Sequence, residues 1–266
     1  MIKLVATDID GTILIPEGNF TSAVKNCIKN LSDNGIKVVL VTGRMNSAAC
    51  SIAKELQLNT PVISYQGGLI NENGKFIYER YLTNEQTEKI IEWAKSENIH
   101  LNLYNNDILY SETESAEIKR YCNNLHTHYQ IKNFSYIKKD KINKLLAIDY
   151  NNPKRIDKYE QELPKLFPEL YIVKSTPYFL EFSNKEASKY CAVKFLQKYW
   201  NLNDNEILTI GDQNNDIALL QAGGIKIAMG NATEELKTFA DYITKSVYED
   251  GFVSAMKQFC PNAVNI

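Results

Sequence analysis

The sequence predicts an α/β protein: a doubly wound parallel sheet interrupted by an inserted α+β domain. Three observations carry this reading. Short apolar runs alternate with amphipathic stretches over residues 1–81, and the same alternation returns over 183–266. Strands that alternate with helices in this way build parallel sheets. In between, over residues 82–182, the tyrosines thicken and the order of elements changes. The chain therefore divides into a core in two parts, 1–81 and 183–266, and an insertion, 82–182.

Residues 3–7 read as a buried strand. Over 22–34, Val24, Ile28 and Leu31 recur at helical spacing, and Gly35 follows as a stop. Residues 36–41 form a second apolar strand, 46–56 a helix and 61–65 a third strand. The insertion reads as helix (85–97), two strands (101–104, 108–111), helix (116–129), strand (145–150), helix (155–166) and two strands (170–173, 178–182). In the last part, 186–200 is helical with Ala187, Cys191 and Phe195 on one face. Either Ser183, with Glu186 completing a capping box, or Ser188 can cap this helix; only the second places Lys189 in the first turn. A strand (206–210), a short helix (216–222) stopped by Gly223 and Gly224, a strand (225–229) and a helix (234–240) complete the pattern.

Composition narrows the function classes. The 266 residues are 44% hydrophobic and 23% charged, and 30 Lys and Arg face 32 Asp and Glu for a formal net charge of −2. That balance has no basic excess, so a nucleic-acid partner is not expected. No apolar run approaches the ~18 residues of a membrane span, and Asp8 arrives before a secretory apolar region could form. Cys27, Cys50, Cys122, Cys191 and Cys260 have no metal-type or redox-type spacing. They read as free thiols in a reducing cytoplasm. His126 and His128 lie two apart, but neither they nor His100 form a recognised ligand pattern. The tyrosines of the insertion read as sheet core rather than a base-stacking surface.

Three polar clusters each begin where an apolar strand stops: Asp8-Ile9-Asp10-Gly11-Thr12, Thr42-Gly43-Arg44, and Gly211-Asp212-Gln213-Asn214-Asn215-Asp216. In an open parallel sheet, ligands bind beyond the carboxyl ends of the strands, so the three clusters converge on one crevice. Asp8 and Asp10 alternate along extended backbone and face the same way. Their repulsion calls for a cation or a proton between them. Asp212 and Asp216 add two more hard oxygen donors, without thiolate or imidazole, a set that suits Mg²⁺. Asp, Asn and Gly also favour strand ends as caps and turn formers, so any one cluster alone would read as structural. It is their common placement that argues for a site.

These residues resemble a family. Asp8-Ile9-Asp10-Gly11-Thr12 is similar to the DxDGT signature of the haloacid dehalogenase (HAD) superfamily, Thr42 to its second motif, Lys189 to its third, and Gly211 to Asp216 to the GDxxND fourth. Tyr65-Gln66-Gly67-Gly68, Ala228-Met229-Gly230-Asn231-Ala232 and Glu249-Asp250-Gly251 resemble further signatures of the Cof-type subfamily (IIB), phosphatases with a large α/β cap between the second and third motifs. The resemblance implies a Rossmann-like HAD core with an inserted α+β cap. It also implies an Mg²⁺-dependent phosphatase that works through an aspartyl-phosphate.

On that resemblance, Asp8 is the nucleophile and Asp10 the acid and then the base. Mg²⁺ is held by Asp8, the carbonyl of Asp10 and Asp212, with Asp216 supporting them from behind. Gly11, Thr42, Gly43, Lys189 and Asn215 serve the phosphoryl group. Motif spacing then favours Ser188 as the helix cap, although Lys189 is otherwise one lysine among Lys185, Lys194 and Lys198. Arg44 reads equally as a substrate contact or a partner of a surface acid. Gln213 and Gln66-Gly67-Gly68 depart from the commoner small residue and Asn-Gly-Ala, and both border the crevice. The expected partner is a small phosphorylated metabolite, a sugar phosphate first, with nucleotides, flavin mononucleotide or pyridoxal phosphate as others. Neither nucleic acid nor membrane is expected, and the chain is read as a monomer or homodimer. A phosphomutase and a non-catalytic metabolite-binding regulator are the alternatives. The cap is expected to close over the crevice and carry specificity.

Overall fold

The computed structural model describes residues 1–125 and 127–264. His126, one of the two spaced histidines, lies outside the described residues; His128 is exposed. The chain forms two compact units, Met1–Tyr78 with Ser188–Ile266, and Glu79–Ala187.

The first unit opens with β1 (Leu4–Thr7), α1 (Ser22–Asp33), β2 (Lys37–Leu40), α2 (Asn46–Glu55), β3 (Val62–Ser64), β4 (Leu69–Glu72) and β5 (Lys75–Glu79). Thr21 caps α1 by accepting from the amide of Val24 at 3.1 Å, satisfying one of the donors a helix start leaves open. The second unit contains α3 (Asn84–Ser96), β6 (His100–Asn105), β7 (Ile108–Ser111), α4 (Ala116–Leu125), β8 (Gln130–Ile131), β9 (Ile142–Ile148), α5 (Pro153–Leu166), β10 (Leu170–Thr176) and β11 (Phe179–Asn184). The chain then returns with α6 (Lys189–Tyr199), β12 (Ile207–Gly211), α7 (Ile217–Ala222), β13 (Ile225–Ala228), α8 (Glu234–Lys237), β14 (Tyr242–Ile243), α9 (Gly251–Phe259) and α10 (Pro261–Val264).

In the first unit the sheet order is β14-β13-β12-β1-β2, every pair parallel, and a parallel bridge from Val41 to Ile63 carries it on towards β3. Both faces are covered, as a parallel sheet requires. Val5, Val38, Leu40, Leu208 and Ile210 pack with the buried residues of α1, α2 and α9. The alternate positions Leu4, Ala6, Val39 and Ile207 pack with α6 and α7. In the second unit the sheet order is β10-β11-β9-β6-β7-β8. One face is apolar and buries Ile90, Ile91 and Trp93 of α3 and Ile156, Tyr159 and Leu163 of α5. The other carries a buried ion pair, Lys144 to Glu181 at 2.6 Å, with side chains 5% exposed.

The structure corrects several readings. The helix expected over 186–200 starts at Lys189, because Ser188 caps it through the amide of Cys191 at 3.1 Å. Its buried face is therefore Lys189, Ala192, Val193 and Leu196, while Cys191 and Phe195 are half-buried. The hairpin β4–β5 was not expected, yet Asn73 and Gly74 turn it with φ of 53° and 85°, the local chemistry that tight hairpins favour. Of the insertion's tyrosines, Tyr104, Tyr110, Tyr121 and Tyr159 are buried, but Tyr136 is 77% exposed. All five cysteines are free. Among the described residues no helix is long and apolar enough to cross a membrane.

Candidate active site

The chain runs outward from β1 to β2 in one direction and from β12 to β14 in the other. The order reverses between β1 and β12, and that switch point is where an open α/β sheet leaves a crevice at its carboxyl edge. Asp8 directly follows β1 and Asp212 directly follows β12. The two strands pair through Thr7 and Ile210, and the amide of Asp8 donates to the carbonyl of Ile210 at 3.0 Å. The sheet itself thus sets these two carboxylates side by side.

Lys189 enters from the first turn of α6, wholly buried. Its Nζ donates to Asp8 Oδ1 at 2.6 Å and to Asp216 Oδ1 at 2.5 Å. The other oxygen of Asp216 accepts from the amides of Asp212 and Gln213 at 3.0 and 3.1 Å. Asp216 is therefore saturated by protein donors and acts as a brace. Asp212 accepts from Thr12 Oγ1 at 3.1 Å and from Gln213 Nε2 at 2.9 Å. Among the described residues nothing donates to Asp8 Oδ2.

The electrostatics are unbalanced. Asp8, Asp212 and Asp216 present oxygens all within 4.8 Å of one another, so three carboxylates face one ammonium. Burial, reinforced by Asp216, pushes Asp8 well above the usual carboxylate range despite Lys189. Burial and Asp216 likewise push Asp212 up to about 7. Burial alone would lower Lys189, but Asp216 and Asp8 outweigh it and hold the ammonium charged. Surplus buried negative charge on hard oxygen donors is the setting a divalent cation neutralises, so the donor set fits one. Gly11 is matched to the same spot: at φ +80°, a Cβ there would lie 2.4 Å from Asp212 Oδ2.

Asp10 stands apart. Its side chain is 53% exposed and is gripped by Arg44, whose Nε donates to Oδ2 at 2.8 Å and whose Nη2 donates to Oδ1 at 2.5 Å. Arg44 is thus paired with an acid of the first cluster, a pairing that sequence left open. Thr42 is buried beyond β2, and its Oγ1 accepts from the amide of Arg44 at 3.1 Å, with half-buried Gly43 between them. Asn215, 8% exposed, donates through Nδ2 to Gln66 Oε1 at 3.2 Å. One residue quoted only as part of a signature also reaches the site: Asn231 donates to the carbonyl of Gly11 at 2.9 Å and accepts from the amide of Val247 at 2.8 Å. It ties the loop after Asp10 to the chain beyond β14.

The chain matches the haloacid dehalogenase-like hydrolase family over residues 5–256. It belongs to that family. The HAD chain is 32% identical to the phosphatase-named M6_Spy0533 of Streptococcus pyogenes, over 98% of this chain and 99% of the relative. It is 28% identical to the phosphatase YwpJ of Bacillus subtilis, over 96% and 99%. Among solved structures, a haloacid dehalogenase-like hydrolase of Bacteroides thetaiotaomicron is 26% identical with a TM-score of 0.84, covering 97% of this chain and 100% of its own. The chain is a phosphoric monoester hydrolase of the HAD superfamily.

Proposed function

We propose that this phosphatase hydrolyses a small phosphorylated metabolite with Mg²⁺ as its ion and Asp8 as its nucleophile. The observation that carries the reading is the cluster at the switch point, where among the described residues Asp8 keeps one oxygen free of protein donors while Lys189 holds the other at 2.6 Å. Asp8, the carbonyl of Asp10 and Asp212 would hold the ion. When bound, it offsets the repulsion between carboxylates and phosphate.

In the first step Asp8 Oδ2 forms a bond to phosphorus as the ester oxygen leaves, and Asp10 gives that oxygen a proton. In the second, Asp10 takes a proton from water, whose oxygen attacks phosphorus and frees Asp8 and phosphate. Thr42, Gly43 and Asn215 would donate to the phosphoryl oxygens, and the charge of Lys189 would stabilise them. Arg44 takes one lone pair on each oxygen of Asp10, which leaves the second lone pair of each to carry the proton.

Sugar phosphates are the leading substrate class, on the strength of the family resemblance. The test is a panel of sugar phosphates, nucleotides, flavin mononucleotide and pyridoxal phosphate, assayed for phosphate release. The expected result is highest kcat/KM on a sugar phosphate, silence in EDTA, recovery with Mg²⁺ and none with Ca²⁺, whose longer, more numerous bonds loosen the site. Full turnover in EDTA would overturn the reading.

A further inference from the structure

The turn at Tyr65 to Gly67 takes no part in the steps above, yet it touches three of the clusters that do. Its backbone is left-handed at three successive residues, with φ of 51° at Tyr65, 57° at Gln66 and 103° at Gly67. Side chains with a Cβ disfavour that region, and such a conformation persists only where its surroundings over-determine it. Here they do. The amide of Tyr65 donates to the carbonyl of Arg44 and that of Gln66 to the carbonyl of Thr42, both at 3.0 Å. Gly67 lies so close to the start of α6 that a Cβ would sit 2.2 Å from the carbonyl oxygen of Ser188 and 2.9 Å from the amide nitrogen of Lys189. The turn is keyed by backbone into the loop after β2 and against the lysine-bearing helix start.

The Gln66 side chain makes the third connection. It is 1% exposed, and its Oε1 accepts from Asn215 Nδ2 at 3.2 Å. An amide oxygen only accepts, so Asn215 must turn its nitrogen towards Gln66. One Asn215 N–H is thereby committed and one remains. Among the described residues, Asn215 Oδ1 is buried with no hydrogen-bond partner. Buried acceptors are normally satisfied, so the bare oxygen marks a place completed by water or a substrate hydroxyl.

We propose that Gln66 is a positioning residue for phosphoryl transfer: it fixes the Asn215 amide so that the remaining N–H, rather than Oδ1, meets a phosphoryl oxygen. Phosphoryl oxygens accept and do not donate, so a reversed amide would set lone pairs against lone pairs. The proposal rests on the phosphoryl-transfer reading of the site given above.

The test uses the full chain with Mg²⁺, an aryl phosphate as substrate and orthophosphate as inhibitor. Gln66→Met keeps the length and loses the acceptor. Gln66→Asn keeps an amide one methylene shorter and suits a left-handed backbone better, and an unchanged Tm separates its loss from misfolding. Each is expected to lower kcat/KM by about tenfold and weaken orthophosphate inhibition with Tm unchanged, the mark of a lost oriented donor. In an Asn215→Ala background the same changes should add less than about threefold, because coupled residues are not additive. Equal losses in both backgrounds, or Gln66→Met within about twofold of wild type, would overturn the proposal. Asp8→Asn runs alongside: if it retains turnover, the reading of the site falls first, and a Gln66 failure with Asp8→Asn inactive falls on the proposal alone.

Discussion

Each unit of this phosphatase buries a lysine, and the two are solved differently. In the inserted unit, Lys144 meets one carboxylate, Glu181, at 2.6 Å. It also lies 5.0 Å from the centre of the Tyr104 ring, whose hydroxyl donates to that of Tyr121 at 2.7 Å. One positive charge meets one negative. In the core, Lys189 meets Asp8 and Asp216 with Asp212 beside them, so three carboxyl groups meet one ammonium. In the inserted unit each of the two charges has its opposite. The core cluster carries a surplus of carboxylates that a proton or a further cation can offset, and that surplus distinguishes a site from a strut.

The comparison can be broken at its strongest point first. Asp8→Asn should lower kcat by more than about a thousandfold, since an amide is a far poorer nucleophile, while Tm stays within a few degrees; steady-state turnover of a purified variant checks it. Asp10→Asn should cost about a hundredfold on an alkyl phosphate and much less on an aryl phosphate, whose leaving group needs no acid. Equal losses on the two substrates would take Asp10 out of the acid role.

The balanced pair should respond in stability rather than chemistry. Lys144→Met leaves Glu181 buried without its ammonium and should cost about 3–5 kcal/mol of unfolding free energy, whereas replacing both with Met and Leu should restore most of it. Denaturant unfolding and kcat of the double variant measure the two halves of that claim, and kcat should be near wild type.

The smallest effect is the most direct probe of the surplus charge. Burial and the neighbouring Asp216 push Asp212 up to about 7, above its ordinary range. A carboxyl raised on folding contributes stability below its unfolded pKa and loses it as pH rises through the folded value. In EDTA, Tm should therefore fall between pH 5 and pH 8. Mg²⁺ should oppose the fall, so that its stabilisation is larger at pH 8 than at pH 5. Thermal scans with and without the ion read this out, and an Mg²⁺ shift that shrinks with pH would contradict it.

Much of the core could be read from sequence because its elements are local. The apolar runs before Asp8, Thr42 and Asp212 are strands whose ends the parallel sheet brings together. The residues alone left Ser183 and Ser188 both open as the cap, with motif spacing favouring Ser188, and the buried face of α6 was not legible. Rotating the helix so that Lys189 points inwards depends on Asp8 and Asp216, far away in the chain. The same limit hid the grip of Arg44 on Asp10, the link from Asn215 to Gln66 and the reach of Asn231 to Gly11. Each joins separate loops, and no spacing rule encodes it. The β4–β5 hairpin is different, for its Asn73-Gly74 turn is a local signal that was there to be used.

The parallel pairing of β1 with β12 has a consequence for assembly. Leu4 must find Ile207, and everything between has to be gathered first, the kind of long-range closure that slows folding. The inserted unit shortens the search. Its two ends are already tied, Asn184 Nδ2 to the carbonyl of Tyr81 at 2.9 Å and Arg80 to Glu186. Once it is folded, the chain leaving β5 and the chain entering α6 start from neighbouring points. Loop closure then counts only the flanking segments. Folded first, the inserted unit would act as a tether between the two parts of the core, and the ribosome delivers it before β12 exists.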